Sequence, residues 1–417
     1  MKPVDLDDAP YPAIAEDRSG GWQNIFWAPF ALTILFVAIG VLLPGRRLGW
    51  TFTTVGEALL AWQLLLWHTM ASAGRKAGVE IRVVKSHYVQ AMVQLCVYAY
   101  WGWYWRRVYA QAPLILAQIV FLYVFDVLLS WSRGRAWRLG LGPFPIILST
   151  NFFMWFKEDW FVFQFLMIAT GALAKEFIRW ERGGRRIHVF NPSAFGLALF
   201  SLGLLVTGTS RNTWAYEIAT TLAMPRFIYL EIFLVGLIVQ GFFGVTLVTL
   251  SATATLCLAN LGYTHFMGGF FFGDVTIPIA VFLGLHLLVT DPATSPRTNM
   301  GKAIFGIFYG LGIMVTYAIL RRLALPDFYD KLLVVPVLNL GVRVLDRLAE
   351  WTPLKNLGEW ETVFGLRRLN LIHMGCWGAL FMVMLGTGYV GGPEPQMSDQ
   401  GRAAIAPAAP VVRAGGQ

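Results

Sequence analysis

The sequence predicts an all-α polytopic membrane protein: a bundle of about 10–13 transmembrane helices, compatible with two related halves. Three observations carry this. The chain is 56% hydrophobic and only 14% charged. Apolar stretches of about 16 to 22 residues recur along most of its length, roughly what a helix needs to cross the hydrocarbon core of a bilayer. The basic residues fall in short gaps between these stretches instead of gathering in one patch. In a soluble domain the net charge of +9 would suggest nucleic acid. In so apolar a chain the same charge orients helices and meets anionic lipid, so a nucleic-acid partner is excluded.

Taken in order, residues 1–22 form an acidic, Pro-rich tail without the basic-then-apolar design of a cleaved signal, expected to be disordered and cytoplasmic. A transmembrane domain follows over 23–345. Its candidate spans are 25–43, 51–70, 88–105, 112–131, 141–156, 160–174, 190–208, 227–241, 244–262, 275–290, 303–320 and 328–345. The fifth is short and carries Gly140, Gly142, Pro143 and Pro145, which suits a broken or re-entrant element. The twelfth carries Pro336, Asn339 and Arg343, which suits an interfacial helix. Residues 346–368 mix charge with Trp351, Pro353 and Trp360 and read as a cytoplasmic loop. A final span is expected over 369–390, and 391–417, rich in Ala, Pro and Gly, as a disordered tail.

Gaps after even-numbered spans through the tenth hold fourteen Lys and Arg, and gaps after odd-numbered spans through the eleventh hold nine. That asymmetry places the N-terminus inside and predicts a multi-pass protein of the cytoplasmic (inner) membrane.

Two Asx-Pro pairs stand at the ends of apolar runs, Asn191-Pro192 in RRIHVFNPSAFG and Asp291-Pro292 in LVTDPATSPRTNMGKAIFG. An Asn or Asp before Pro reads as a helix N-cap with a first-turn proline, leaving the first N–H groups for an anionic or carbonyl-bearing partner. Ser193 and Gly196 follow on a turn where small side chains admit a ligand or a neighbouring backbone, and Phe190, Phe195 and Phe200 offer aromatic faces. Asp291, Thr294, Ser295 and Lys302 can cap a helix or bind phosphate. Packing is the competing reading for all of them.

Charges inside spans are costly unless paired, which makes Glu57, Asp126 and Glu231 the ion-pathway candidates, with His68, His286 and His373 as possible partners. Cys96, Cys257 and Cys376 lie in three different spans and lack ligand spacing, so no metal site is expected. The ninth span carries Thr246, Thr249, Ser251, Thr253 and Thr255, a hydroxyl-rich face suited to a polar cavity or to helix–helix contact. Tyr98 to Trp105 read as an interfacial aromatic belt beside Arg106 and Arg107. No nucleophile triad or nucleotide loop appears, and no catalytic residue is assigned.

The run from Lys175 to Gly203, with KEFIRW and GRRIHVFNPSAFG, and the run LHLLVTDPATSPRTNMGKAIFGIFYG from Leu285 to Gly310 resemble the NqrB/RnfD superfamily of membrane electron-transport subunits. The wording is similar to the UnbU-type branch associated with enediyne biosynthesis. The motif core is 175–310; outside it the likeness is one of hydropathy. The resemblance implies flavin-linked electron transfer within a larger complex of membrane subunits, possible coupling to ion translocation, FMN or riboflavin as cofactor, and quinone as a further redox partner. In those relatives FMN is esterified to a Thr in an S-G-A-T-like motif on the outer face. Here the expected loop holds Ile218-Ala219-Thr220-Thr221, which keeps Ala-Thr and lacks the Ser-Gly. Thr220 is the corresponding candidate. With that motif missing, a transporter or channel, or a membrane scaffold of a biosynthetic pathway, is the alternative on the same framework.

Overall fold

The computed structural model describes residues 22–43, 45–74, 77–182, 184–273, 275–349, 351 and 365–391. The expected tails and most of the 346–368 loop lie outside these residues. What is described is mostly helical. In chain order the helices are α1 (Trp22–Leu42), α2 (Arg46–Ser72), α3 (Lys85–Tyr104), α4 (Arg107–Ala110), α5 (Ala112–Ser132), α6 (Pro143–Asn151) and α7 (Val162–Phe177). They continue as α8 (Pro192–Thr207), α9 (Ala215–Thr221), α10 (Ile228–Phe243), α11 (Thr246–Met267), α12 (Ile279–Leu287), α13 (Asn299–Arg322), α14 (Asp330–Ala349) and α15 (Leu366–Gly386). Four of them, α5, α11, α13 and α15, are long and apolar enough to cross a membrane.

Polarity is distributed as in a protein whose solvent is lipid. Large apolar side chains face outward, among them Leu42, Val206, Leu258, Phe266 and Met382. Amides are buried, including Gln118, Asn151, Gln164, Gln240 and Asn339. Together with the four long apolar helices, outward apolar side chains in this number mark a membrane-associated protein.

Close helix contacts are made where glycine removes a side chain. On α13 a Cβ at Gly306 would run into the Ser251 side chain and the Val248 carbonyl, and one at Gly310 would come within 2.8 Å of Ala252 O. The hydroxyl-rich face of α11 is therefore in large part a packing face. Thr249 donates to Leu285 O (2.9 Å), and Thr255 donates back to Ser251 O (2.8 Å). The same device joins α7 to α8: a Cβ at Gly171 would strike the Pro192 carbonyl, and one at Gly196 would lie 2.8 Å from Met167 O. Gly196 is a packing residue.

Two of the expected spans hold helices of only nine residues, α6 and α12. Pro143 and Pro145 set the first turn of α6. It ends at Asn151, whose amide donates to Ile147 O (2.8 Å) and to Gln118 Oε1 (2.6 Å), while Gln164 also reaches Gln118 (3.1 Å). The fifth span is thus a broken one.

The expected twelfth span is one continuous helix. α14 runs unbroken past Pro336, packs against α8 and α13, and buries Asn339. It packs into the bundle, where Asn339 finds its partners. The aromatic run at the end of α3 also divides: Trp103 and Tyr104 are exposed, whereas Tyr98 stacks on Phe152 (4.1 Å) and Trp105 on Trp155 (5.4 Å).

Two small sheets complete the fold at the end where the candidate site lies. β1 (Val79–Ile81) and β2 (Trp137–Leu139) pair in parallel, with Glu80 opposite Arg138. β3 (Arg179–Arg182) and β4 (Arg185–His188) form an antiparallel hairpin that sets His188 opposite Arg179.

Candidate functional site: a cleft between the two Asx-Pro pairs

Asn191 caps α8 as its sequence dictates. Its side chain accepts from Ser193 N (3.0 Å) and Ala194 N (3.2 Å), with Pro192 opening the helix. This corrects one expectation, since those N–H groups are satisfied by the cap itself and are not left for a partner.

The second pair behaves differently. Asp291 Oδ1 accepts from Ala293 N (3.0 Å), and Thr294 N donates to Asp291 O (3.2 Å), which closes a turn and not a helix. The helix begins only at Asn299, capped by Thr298. Pro296 is the physical reason: it disfavours the helical conformation at Ser295 and supplies no N–H.

The two pairs nevertheless meet. His188 Nε2 lies 3.2 Å from Asp291 Oδ2, and Asn191 Nδ2 donates to Leu288 O (3.2 Å). Asn339 bridges them, accepting from Asn191 N and donating to Thr294 O, each at 3.2 Å. Thr294 Oγ1 reaches Asp291 Oδ2 (3.2 Å), and Ser295 Oγ donates to Val289 O (3.1 Å) and Asp291 O (2.8 Å). Arg182 fastens the hairpin to α14 through Asp346 (2.7 Å), and Arg297 NH2 donates to Arg182 O (2.8 Å).

Between these elements lies a cavity of about 110 Å³, with Asn191, Pro192, Ser193, Asp291 and Pro292 on its wall. Ser86, His87, Gln90, Ser149, Lys175, His188 and Thr290 complete the polar lining. A neighbouring cavity of about 150 Å³ shares His87, Gly142, Ile146, Lys175 and His188 with it, so the two are lobes of one cleft. Burial alone would raise the Asp291 carboxyl. The His188 hydrogen bond and charge, the Ala293 N–H and the charge of Lys175 outweigh burial and hold it below the ordinary carboxylate range.

Other candidates lie elsewhere. Lys302 Nζ donates to Gly244 O (2.8 Å), the carbonyl of the left-handed residue that ends α10. Thr294 and Ser295 support the turn without lining the cleft. Thr220 is in α9, its hydroxyl donating to Tyr216 O (3.0 Å) and Glu217 O (3.2 Å) as hydroxyls within helices do. It is not a cleft residue. Phe190 and Phe195 face each other at 4.6 Å, and Phe200 meets Phe156 at 6.0 Å.

The three ion-pathway carboxylates do not converge. Glu57 is exposed on α2, contrary to the expectation of burial. Asp126 lines the second lobe and accepts from Trp137 Nε1 (3.1 Å), a tryptophan where a histidine was anticipated. Glu231 is half-buried in the first turn of α10. His286 is buried, with Nδ1 on Phe282 O (2.8 Å), and touches none of the three. Among the described residues no three His, Cys, Asp or Glu side chains come together as a metal cage.

Sequence reasoning passed over His87, Lys175 and Asn339 as site residues, and gave His188 no role although it sits three positions before Asn191. The one sequence signal for His188 was its place inside the run GRRIHVFNPSAFG. No protein-family model matches the chain, and no curated protein matches it in sequence.

Proposed function

We propose that the chain is a polytopic subunit of the cytoplasmic membrane, of the NqrB/RnfD kind, with 10–13 passes, that takes part in flavin-linked electron transfer beside other membrane subunits. The cleft between the Asx-Pro pairs is where a flavin or a quinone head group meets it, on the cytoplasmic side. One observation supports this above the others: segments 100 residues apart, each bearing half of the resemblance, are hydrogen-bonded together around one polar cleft.

The lining suits an isoalloxazine edge of carbonyls and an imide N–H, since Gln90, Ser149 and His188 offer donors and Asp291 an acceptor. A bound flavin would supply the electron chemistry that side chains lack. The chain's own residues bind and orient the group, and the His188–Asp291 pair presents a hydrogen-bonded imidazole and carboxylate to the lobe. We place the flavin here non-covalently, because the Thr220 hydroxyl is engaged within its own helix and lies outside the cleft.

Purified protein should show an oxidised-flavin band near about 450 nm, lost in Asn191→Ala and Asp291→Ala. A colourless protein that takes up neither riboflavin nor FMN overturns the reading. A transporter is the second reading, favoured by the two nine-residue helices α6 and α12 whose ends reach the same cleft. Substrate flux into proteoliposomes from a flavin-free protein would select it.

A further inference from the structure

The second lobe is chemically unlike the first. Arg82, Arg138, Lys175 and Arg179 line it, against the two carboxylates Asp126 and Glu176. Glu176 already serves three guanidinium groups, at 2.9 Å from Arg133, 2.5 Å from Arg135 and 3.0 Å from Arg179. Arg138 is 3.6 Å from Glu80, its partner across the parallel strands. Among the described residues the side chains of Arg82 and Lys175 form no hydrogen bond or ion pair, although Lys175 lies within electrostatic reach of Asp126 and Asp291. Cations around a shared concavity, more numerous than the carboxylates that face them, favour an anion over any neutral occupant, and charge-assisted hydrogen bonds are the stronger kind. The backbone fixes this arrangement: Arg82 N donates to Leu139 O (2.8 Å), which extends the β1–β2 ladder and brings Arg82 beside Arg138.

We propose that the second lobe binds the phosphate of a phosphate ester, with Lys175 and Arg82 as its principal ligands and the uncharged remainder of the molecule extending past His87 and His188 into the first lobe. Two sources carry that chemistry, a flavin mononucleotide and the head group of an anionic phospholipid. The phosphate site stands on the cationic lining alone. Naming the mononucleotide as occupant rests on the flavin reading above.

Full-length protein in neutral detergent is titrated with FMN, riboflavin and inorganic phosphate. It is also reconstituted in nanodiscs of phosphatidylglycerol or of phosphatidylcholine, with thermal stability as readout. The expected result is FMN binding about tenfold or more tighter than riboflavin, competition by phosphate against FMN and not against riboflavin, and loss of the difference in Lys175→Gln and Arg82→Gln. Lys175→Arg restores it, and a ligand-free melting temperature within a few degrees of wild type shows that the variants are folded. If no flavin binds but phosphate or phosphatidylglycerol stabilises the protein in a Lys175-dependent way, the occupant is a lipid head group, and the flavin reading falls while the phosphate site stands. If FMN and riboflavin bind equally and Lys175→Gln changes neither, the phosphate site is overturned and the flavin reading survives. Absence of every one of these effects overturns both.

Discussion

Asn339 offers the sharpest test of how the cleft is held. Its side chain is 1% exposed and makes two hydrogen bonds of 3.2 Å, one from Asn191 N and one to Thr294 O. Replacing it by the nearly isosteric Leu removes both partners without opening a large cavity. The Asn191 N–H and the Thr294 carbonyl belong to residues only 7% and 2% exposed, so water cannot readily take over. Each buried polar group left without a partner costs about 1 to 3 kcal/mol, and the added apolar surface offsets part of this, so Asn339→Leu should destabilise by about 2 to 5 kcal/mol. Tryptophan-fluorescence unfolding in detergent, comparing wild type, Asn339→Leu and Asn339→Gln, measures it. The cleft should also lose ligand affinity, because the tie between the α8 N-terminus and the Asp291 turn is gone. A change below about 0.5 kcal/mol would refute the claim that this bridge holds the two segments together.

Further expectations concern pH, packing and covalent chemistry. The folded Asp291 carboxyl is held low, chiefly by His188 once the opposing effect of burial is overcome, so its contribution to stability is complete above the unfolded value of about 3.9 and disappears as pH falls through the lower folded value. Melting temperature followed from neutral pH down to about pH 3 should show an acid loss in wild type that is reduced in Asp291→Asn; equal acid loss in both would be the wrong result for this account. Gly306→Ala forces a methyl group onto Ser251 and the Val248 carbonyl, and should cost about 1 to 3 kcal/mol by the same unfolding assay. A fully stable variant would mean that α11 and α13 are not in close contact. Mass spectrometry of the peptide spanning 212–225 should give the unmodified mass, and Thr220→Val should leave flavin content unchanged, whereas an FMN adduct there would restore the covalent route.

The sequence by itself determined what is local or statistical. The length of the apolar runs set the helices, and mean composition set the membrane-associated class. Asn191-Pro192 declared the start of α8, because a cap and its first turn lie within four residues of one another. Pro143 and Pro145 similarly announced a broken element.

Asp291-Pro292 matches the first pair in wording, but Pro296, four residues on, disfavours a helix there, and the turn gives way to helix only at Asn299. Tertiary structure alone decided that His188 lies on Asp291 and that Asn339 joins the two pairs. It also decided that Glu57 faces outward while Asp126 faces a cavity, and that Lys175 and Arg82 line one lobe. These depend on helix rotation and on which ends of the bundle come together. Both are fixed by close contacts such as those of Gly171, Gly196 and Gly306, summed over residues far apart in the chain, and no short stretch of sequence contains that sum.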